Sequence, residues 1–249
     1  MTENILGNLD TIIQIGVVLY VIIQTAFLVK KYQSILVTVF FLLAMVCFLA
    51  SDIYWLTHLI MIPDMRIPFS ASEIGDNGFF LLLGATLSAA FRGKQVNARK
   101  EIIFAILFVA ASTALWIGWS GEWVKDILCG LAFGYFVCRA MIALKASGAF
   151  SRKEWFVLAA GSAVLIVCQA AIFHVPDPLK KPLDTFCYIL MFVGILCFFI
   201  QNIRAIRSGE NADVLIGLSF SAYAWATTVM YMSSDPIYFA ADKIGRAHV

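Results

Sequence analysis

The sequence predicts an all-α fold, a polytopic transmembrane bundle of about eight helices with its amino terminus outside. Three observations carry this. Of the 249 residues, 61% are hydrophobic and only 14% charged, against roughly 45 to 50% and 25% in soluble domains. The charges arrive in short clusters separated by apolar runs of about 20 residues, the length a helix needs to cross a bilayer. Lys and Arg are biased to alternate connections. A soluble globule is excluded, because 18 basic and 16 acidic side chains cannot coat one of this size. With a formal net charge of +2 and no basic tract, the chain also has no electrostatic footprint for nucleic acid.

Cutting where charge, Pro and Gly cluster gives spans at residues 11–29, 35–60, 74–91, 102–119, 123–144, 155–175, 185–203 and 213–232. Helices are required, since these runs are twice the length of a barrel strand and lack its alternation. One set of connections holds eleven cations: Lys30, Lys31, Arg92, Lys94, Arg99, Lys100, Lys145, Arg152, Lys153, Arg204 and Arg207. The other holds five: Arg66, Lys125, Lys180, Lys181 and Lys243. The richer set is read as cytoplasmic. The leading segment carries Glu3 and Asp10 but no basic residue, which makes it a poor signal peptide and predicts its retention in a cell (inner) membrane.

Residues 1–243 are read as one integral membrane domain. His58 before Pro63-Asp64 and His174 before Pro176-Asp177 echo each other four spans apart. That spacing suggests a 4+4 internal repeat over 1–121 and 122–243. The terminal Ile244-Gly245-Arg246-Ala247-His248-Val249 translates the opening of a common sequencing adapter, and Lys243 satisfies the frame the adapter requires. Residues 244–249 are therefore expected to be a non-native tail, and Arg246 and His248 enter no functional argument.

Inside a bilayer, polar and ionisable side chains are expensive, so their positions point to function. They gather at the outer side. The second span carries Asp52, Tyr54, Trp55 and His58, and the third opens with Ser70, Ser72, Glu73, Asp76 and Asn77. The sixth offers Gln169 and His174, the seventh starts near Asp184, and the eighth ends with Thr227, Thr228 and Tyr231 before Ser233, Ser234 and Asp235. The candidate ligand-binding set is Asp52, Trp55, His58, Glu73, Asp76, Asn77, Gln169 and His174. Asp52, Glu73 and Asp76 are the candidate catalytic carboxylates, which could activate water as general bases.

Each has a structural alternative. Ser70 and Glu73 match a capping box, a pattern that Ser151 and Glu154 repeat. Asp52, Asp76, His58 and His174 have acceptable zinc chemistry, but no H-x-x-x-H or H-E-x-x-H spacing supports it. No metal and no cofactor is expected. Trp55, Trp116, Trp119, Trp123 and Tyr188 read as an interfacial aromatic belt. Gly130 to Gly134, Gly84 to Ser88 and Ala110 to Ala114 share the small-xxx-small spacing of close helix packing within the chain. Arg139 is a lone cation inside the fifth span, expected to snorkel or to meet an anionic lipid headgroup. All six cysteines lie inside spans and are read as free thiols.

Two resemblances follow. Asp52-x-x-Trp55 with Pro68-Phe69-Ser70-x-x-Glu73 resembles a pattern in the multi-pass sensor regions of some bacterial signalling proteins. Leu49-Ala50-Ser51-Asp52 and Ile74-Gly75-Asp76 resemble the small-residue-plus-Asp motif of the lysoplasmalogenase family of eight-span lipid hydrolases. The chain departs from that family in lacking its His and Tyr one turn apart in the following span, and in placing Ser234-Asp235 at a different depth. The first resemblance implies a sensor module, the second an intramembrane hydrolase. The expected function is a module binding a small molecule or lipid through an outward polar pocket, with the hydrolase and then a small transporter as alternatives. Membrane lipids are its expected partners.

Overall fold

The computed structural model describes residues 2–28, 34–61, 70–94, 96–120 and 122–232. Among these there are eight helices and no strand: α1 Thr2–Leu28, α2 Ile35–Met61, α3 Ala71–Ala90, α4 Arg99–Ser120, α5 Trp123–Ser147, α6 Arg152–His174, α7 Asp177–Arg207 and α8 Ala212–Met232. Five stretches are long and apolar enough to cross a membrane: Ile35–His58, Arg99–Gly118, Trp123–Ser147, Arg152–His174 and Pro178–Arg207. The protein is a helical membrane protein.

All eight expected spans coincide with helices, but two helices run further. Helix α1 starts at Thr2, where the cut by hydropathy began at residue 11, because a helix continues past the apolar stretch that anchors it. Helix α7 starts at Asp177, not near residue 185, and takes in the Pro- and Lys-bearing segment read as connection. Pro178 occupies its first turn, where the missing N–H would be unpaired anyway. Pro182 lies inside the helix. Arg66, Pro63-Asp64, Pro68-Phe69 and residues 233–249 lie outside the described residues, as do the side chains of Trp119, Asp177, Thr228 and Tyr231.

Helices α3 and α5 form the centre of the bundle. Helix α3 packs on α2 and α5, α5 also on α4 and α8, α8 on α7, α6 on α7 and α4, and α1 on α2. The core is aromatic: Phe80 and Phe136 are buried, and rings from four helices meet there. Phe48 stacks on Phe79 with centroids 4.6 Å apart, Phe80 meets Phe133 edge-on at 5.2 Å, and Phe136 and Phe79 both face Tyr223 of α8. Large apolar side chains such as Leu107, Leu131, Phe156, Val167 and Phe192 point outward, as lipid-facing positions should, since lipid is as apolar as the core.

The small-residue pairs behave differently from one another. A Cβ on Gly130 would collide with Thr113 of α4, and one on Gly134 would lie 3.1 Å from Val109. This pair therefore sets the α4–α5 approach. Gly84 makes room for the Tyr135 ring, and Ser88 Oγ lies 3.1 Å from the Tyr135 hydroxyl. Ala110 and Ala114 are exposed, so the third pair is not a packing seam; α4 meets α5 through Val109 and Thr113 instead. Arg139 sets its guanidinium 5.5 Å above the Tyr135 ring, a partner within its own helix. The described cysteines are all free thiols.

Charge pairs lace the end of the bundle that carries the basic connections. Lys94 pairs with Asp213, and Lys145 lies 2.8 Å from Glu101 and 5.7 Å over the Trp155 ring. Ser151 caps α6 in a full capping box: its N–H donates to Glu154 Oε2 at 2.6 Å, and Glu154 N–H donates to Ser151 Oγ at 3.4 Å.

Candidate functional site

At the opposite end, the last turns of α2 and the first turns of α3 and α5 bring together an ionisable cluster. Its frame is the close approach of α2 and α3. A Cβ on Gly75 would lie 3.0 Å from both the Cys47 carbonyl oxygen and Ser51 Cβ, so a side chain here would push the helices apart. This contact seats Ser51 against the first turns of α3. Its Oγ lies 2.7 Å from Asp76 Oδ1 and 3.0 Å from the Ser72 carbonyl oxygen.

Asp52 follows Ser51 and is 8% exposed. It lies within electrostatic reach of Asp76. Its Oδ2 is buried and finds no hydrogen-bond donor among the described residues, and the same holds for Glu73 Oε2 and Asn77 Oδ1. Three acceptors on α2 and α3 are thus withdrawn from solvent without a donor among the described residues, a costly arrangement away from water.

The cation of the cluster comes from α5. Lys125 is 6% exposed, and its Nζ lies 3.3 Å from Glu73 Oε1, 2.6 Å from Glu122 Oε2 and 3.9 Å from Asp126 Oδ1. Asp126 is itself buried. Glu73, Glu122 and Asp126 thus share Lys125, and Asp52 and Asp76 lie on the adjoining turns of α2 and α3.

Glu73 departs from its expected role as half of a capping box. Its N–H donates to Ser70 Oγ at 3.5 Å, so Ser70 caps α3, but its carboxylate pairs with Lys125. A buried ammonium offers a charge-assisted partner stronger than one backbone N–H.

An aromatic group stands beside the carboxylates. Trp55 lies three residues after Asp52 on α2, hence on the same side of the helix. The His58 ring is 5.8 Å from that of Trp55 and 6.4 Å from that of Tyr54. Across the bundle, Tyr223 of α8 lies within electrostatic reach of both Asp76 and Asp52, and Cys129 of α5 within reach of Asp76 and Glu73.

The structure therefore groups Asp52, Glu73, Asp76 and Asn77, with Trp55 and His58 further along α2. Gln169 and His174 sit on α6, whose main neighbours are α7 and α4. Gln169 is buried and donates its amide to Cys187 Sγ at 3.8 Å, whereas His174 is exposed. Among the described residues no group of three His, Cys, Asp or Glu side chains is arranged to hold a metal ion.

Sequence reasoning missed Glu122, Lys125 and Asp126. It counted Lys125 as a solvated charge of a connection, although Lys125 and Asp126 fall inside the span cut at residues 123–144. Two adjacent ionisable residues within an apolar run were the available signal. Comparison with protein-family models, with curated proteins and with solved structures gives no match.

Proposed function

We propose that this chain is a single-domain, eight-span protein of the cell membrane, amino terminus outside, that binds the ammonium group of a small molecule or lipid at the outer ends of α2, α3 and α5. The observation that carries the reading is the set of buried acceptors without donors: Asp52 Oδ2, Glu73 Oε2 and Asn77 Oδ1. A primary ammonium brings three N–H donors and one positive charge, and these three oxygens find no donor among the described residues. Trp55 offers an amphipathic ring beside Asp52, suited to the carbon next to a charged nitrogen. Anionic ligands are disfavoured by the buried carboxylate oxygens of Asp52 and Glu73.

The experiment is a thermal-shift titration of the detergent-purified chain with ethanolamine, with choline as the comparison, and in parallel with nanodiscs containing phosphatidylethanolamine or phosphatidylcholine. Ethanolamine should stabilise the protein more than choline, which has the charge but no N–H. A response to the phosphatidylethanolamine discs alone would identify a lipid headgroup as the source of the ammonium. Equal responses to ethanolamine and choline, or none to either ethanolamine or phosphatidylethanolamine, would reject the reading. The hydrolase alternative uses the same carboxylates as general bases; the buried acceptors favour binding as the primary function.

A further inference from the structure

Arg139 is a cation at the edge of the lipid-facing side of α5. It stands eight residues before the end of that helix at Ser147, about 12 Å along the axis. With 25 residues, α5 is about 37 Å long against a hydrocarbon core of about 30 Å, so a centred helix leaves the Arg139 backbone about 8 Å inside the core. Leu128, eleven residues and so about three turns earlier, shares its side of the helix. Leu128 is 47% exposed and Leu131 beside it 66%, while Arg139 is half-buried.

Tyr135 holds this side chain at depth. Its ring fills the space left by Gly84 of α3, where a Cβ would strike it, and its hydroxyl is 3.1 Å from Ser88 Oγ, so α3 fixes the ring at two points. The Arg139 guanidinium lies 5.5 Å from the ring centroid. Tyr135 is one turn further from the basic connections, so the arginine turns back over the ring instead of extending towards them. A ring face attracts the charge and leaves the N–H donors of the guanidinium to other acceptors. Among the described residues Arg139 has the ring as its partner and no carboxylate. Asp213, Glu101 and Glu154, acidic residues of this end, are engaged by Lys94, by Lys145, and by Ser151 with Gln201.

We propose that Arg139 anchors the phosphate of an anionic phospholipid at the α3–α5 seam, in the leaflet of the basic connections, with Tyr135 as its positioning residue. The planar fork of N–H donors matches two phosphate oxygens. Lipid is what covers this side of α5, so the phosphate arrives on a lipid whose chains lie along Leu128 and Leu131, and the membrane thins locally to admit it. A zwitterionic headgroup carries its own cation and leaves the charge of Arg139 uncompensated; an anionic one cancels it. Arg92, exposed in the turn after α3, adds positive charge at the same end. The site is about 21 Å along α5 from Lys125 and stands apart from the ammonium reading of the outer cluster.

Native mass spectrometry of the full-length protein, delipidated in detergent and titrated with phosphatidylglycerol or with phosphatidylcholine of the same chains, tests the site. Wild type should take up its first phosphatidylglycerol in preference to phosphatidylcholine. Arg139→Gln should weaken that first binding about tenfold and abolish the preference. Tyr135→Leu should lower the preference about threefold, and Tyr135→Phe, which keeps the ring, should retain it. Equal binding of the two lipids by wild type overturns the proposal, and so does phosphatidylglycerol binding by Arg139→Gln that equals wild type. If the glutamine variant does not fold, Arg139→Lys carries the test by the same criterion, since it keeps the charge and loses the fork; affinity equal to wild type overturns the proposal. Glycerol phosphate is added as a competitor to separate the sources of phosphate. It should not displace the lipid, and displacement at concentrations equal to those of phosphatidylglycerol would reject a lipid site in favour of a free phosphate.

Discussion

Glu73 turns its carboxylate to Lys125 of α5, 3.3 Å away, whereas Glu154, in the same Ser-x-x-Glu spacing, folds back to the N–H of Ser151 at 2.6 Å. One motif thus serves two ends. At α6 it closes a helix terminus; at α3 the serine caps the helix and the glutamate is released to hold a neighbouring helix. The difference lies in the neighbour: a buried ammonium is present at the first site.

Lys125 should accordingly be a keystone of stability. Lys125→Met would leave Glu73, Glu122 and Asp126 facing one another without their shared cation. Breaking a buried ion pair costs about 3 to 5 kcal/mol, and the partial exposure of Glu73 and Glu122 puts the expected loss at about 3 kcal/mol. Lys125→Arg should retain most of the stability. Denaturation in detergent, followed by helical circular dichroism, measures both.

The two caps should differ as well. Ser151→Ala removes one hydrogen bond of a closed box and should cost about 1 kcal/mol. Ser70→Ala should cost less, because the Ser70 bond to Glu73 N–H is long, at 3.5 Å. The same unfolding measurement ranks them, and a larger effect at Ser70 would contradict the assignment.

Neutralising Asp52 should separate stability from binding. Its Oδ2 has no donor among the described residues, and a charged carboxylate inside a span carries a penalty of about 2.5 to 3.5 kcal/mol on insertion scales. Asp52→Asn is therefore expected to fold at least as well as wild type while losing the ethanolamine response. A variant that unfolds instead would make Asp52 a structural partner.

The α4–α5 seam gives a test free of electrostatics. Gly130→Ala drives a methyl into Thr113, and overpacking of this kind costs about 1 to 3 kcal/mol. Gly134→Ala, facing Val109 at 3.1 Å, should cost less. Combining Gly130→Ala with Thr113→Ala, which removes both the hydroxyl and the methyl that the new Cβ would meet, should recover part of the loss.

Orientation is checked by reporter fusions. A fusion at Lys94 should report cytoplasm and one at Pro178 the exterior; the reverse pattern would invert the proposed topology.

Much of the fold was legible because apolar run length dictates helices in a membrane, and every run became one. The ionisable cluster was legible only in part. The proximity of Asp52, Glu73, Asp76 and Asn77 could be read because each is conspicuous in an apolar context and α2 and α3 are consecutive, so their adjacent ends must meet. Lys125 and Asp126 escaped because their pairing crosses from α3 to α5, and no periodicity encodes which distant helices touch. The partner of Gln169, Cys187 on the neighbouring helix, could not be read from the sequence, since polarity in an apolar run does not say which helix supplies the partner. Ala110 and Ala114 have the spacing of a seam without facing one, since spacing fixes a stripe on a helix but not the direction in which that stripe points.

The contact at Gly75 has a mechanical meaning. With a Cβ there only 3.0 Å from the Cys47 oxygen and Ser51 Cβ, the two helices touch backbone to side-chain root, with no long, compliant side chain between them. The backbones that carry Ser51 and Asp76 are consequently held at a separation set by the rigid bodies of α2 and α3. Any force that slides one helix along the other is passed on to the residues at this contact with little give between the backbones.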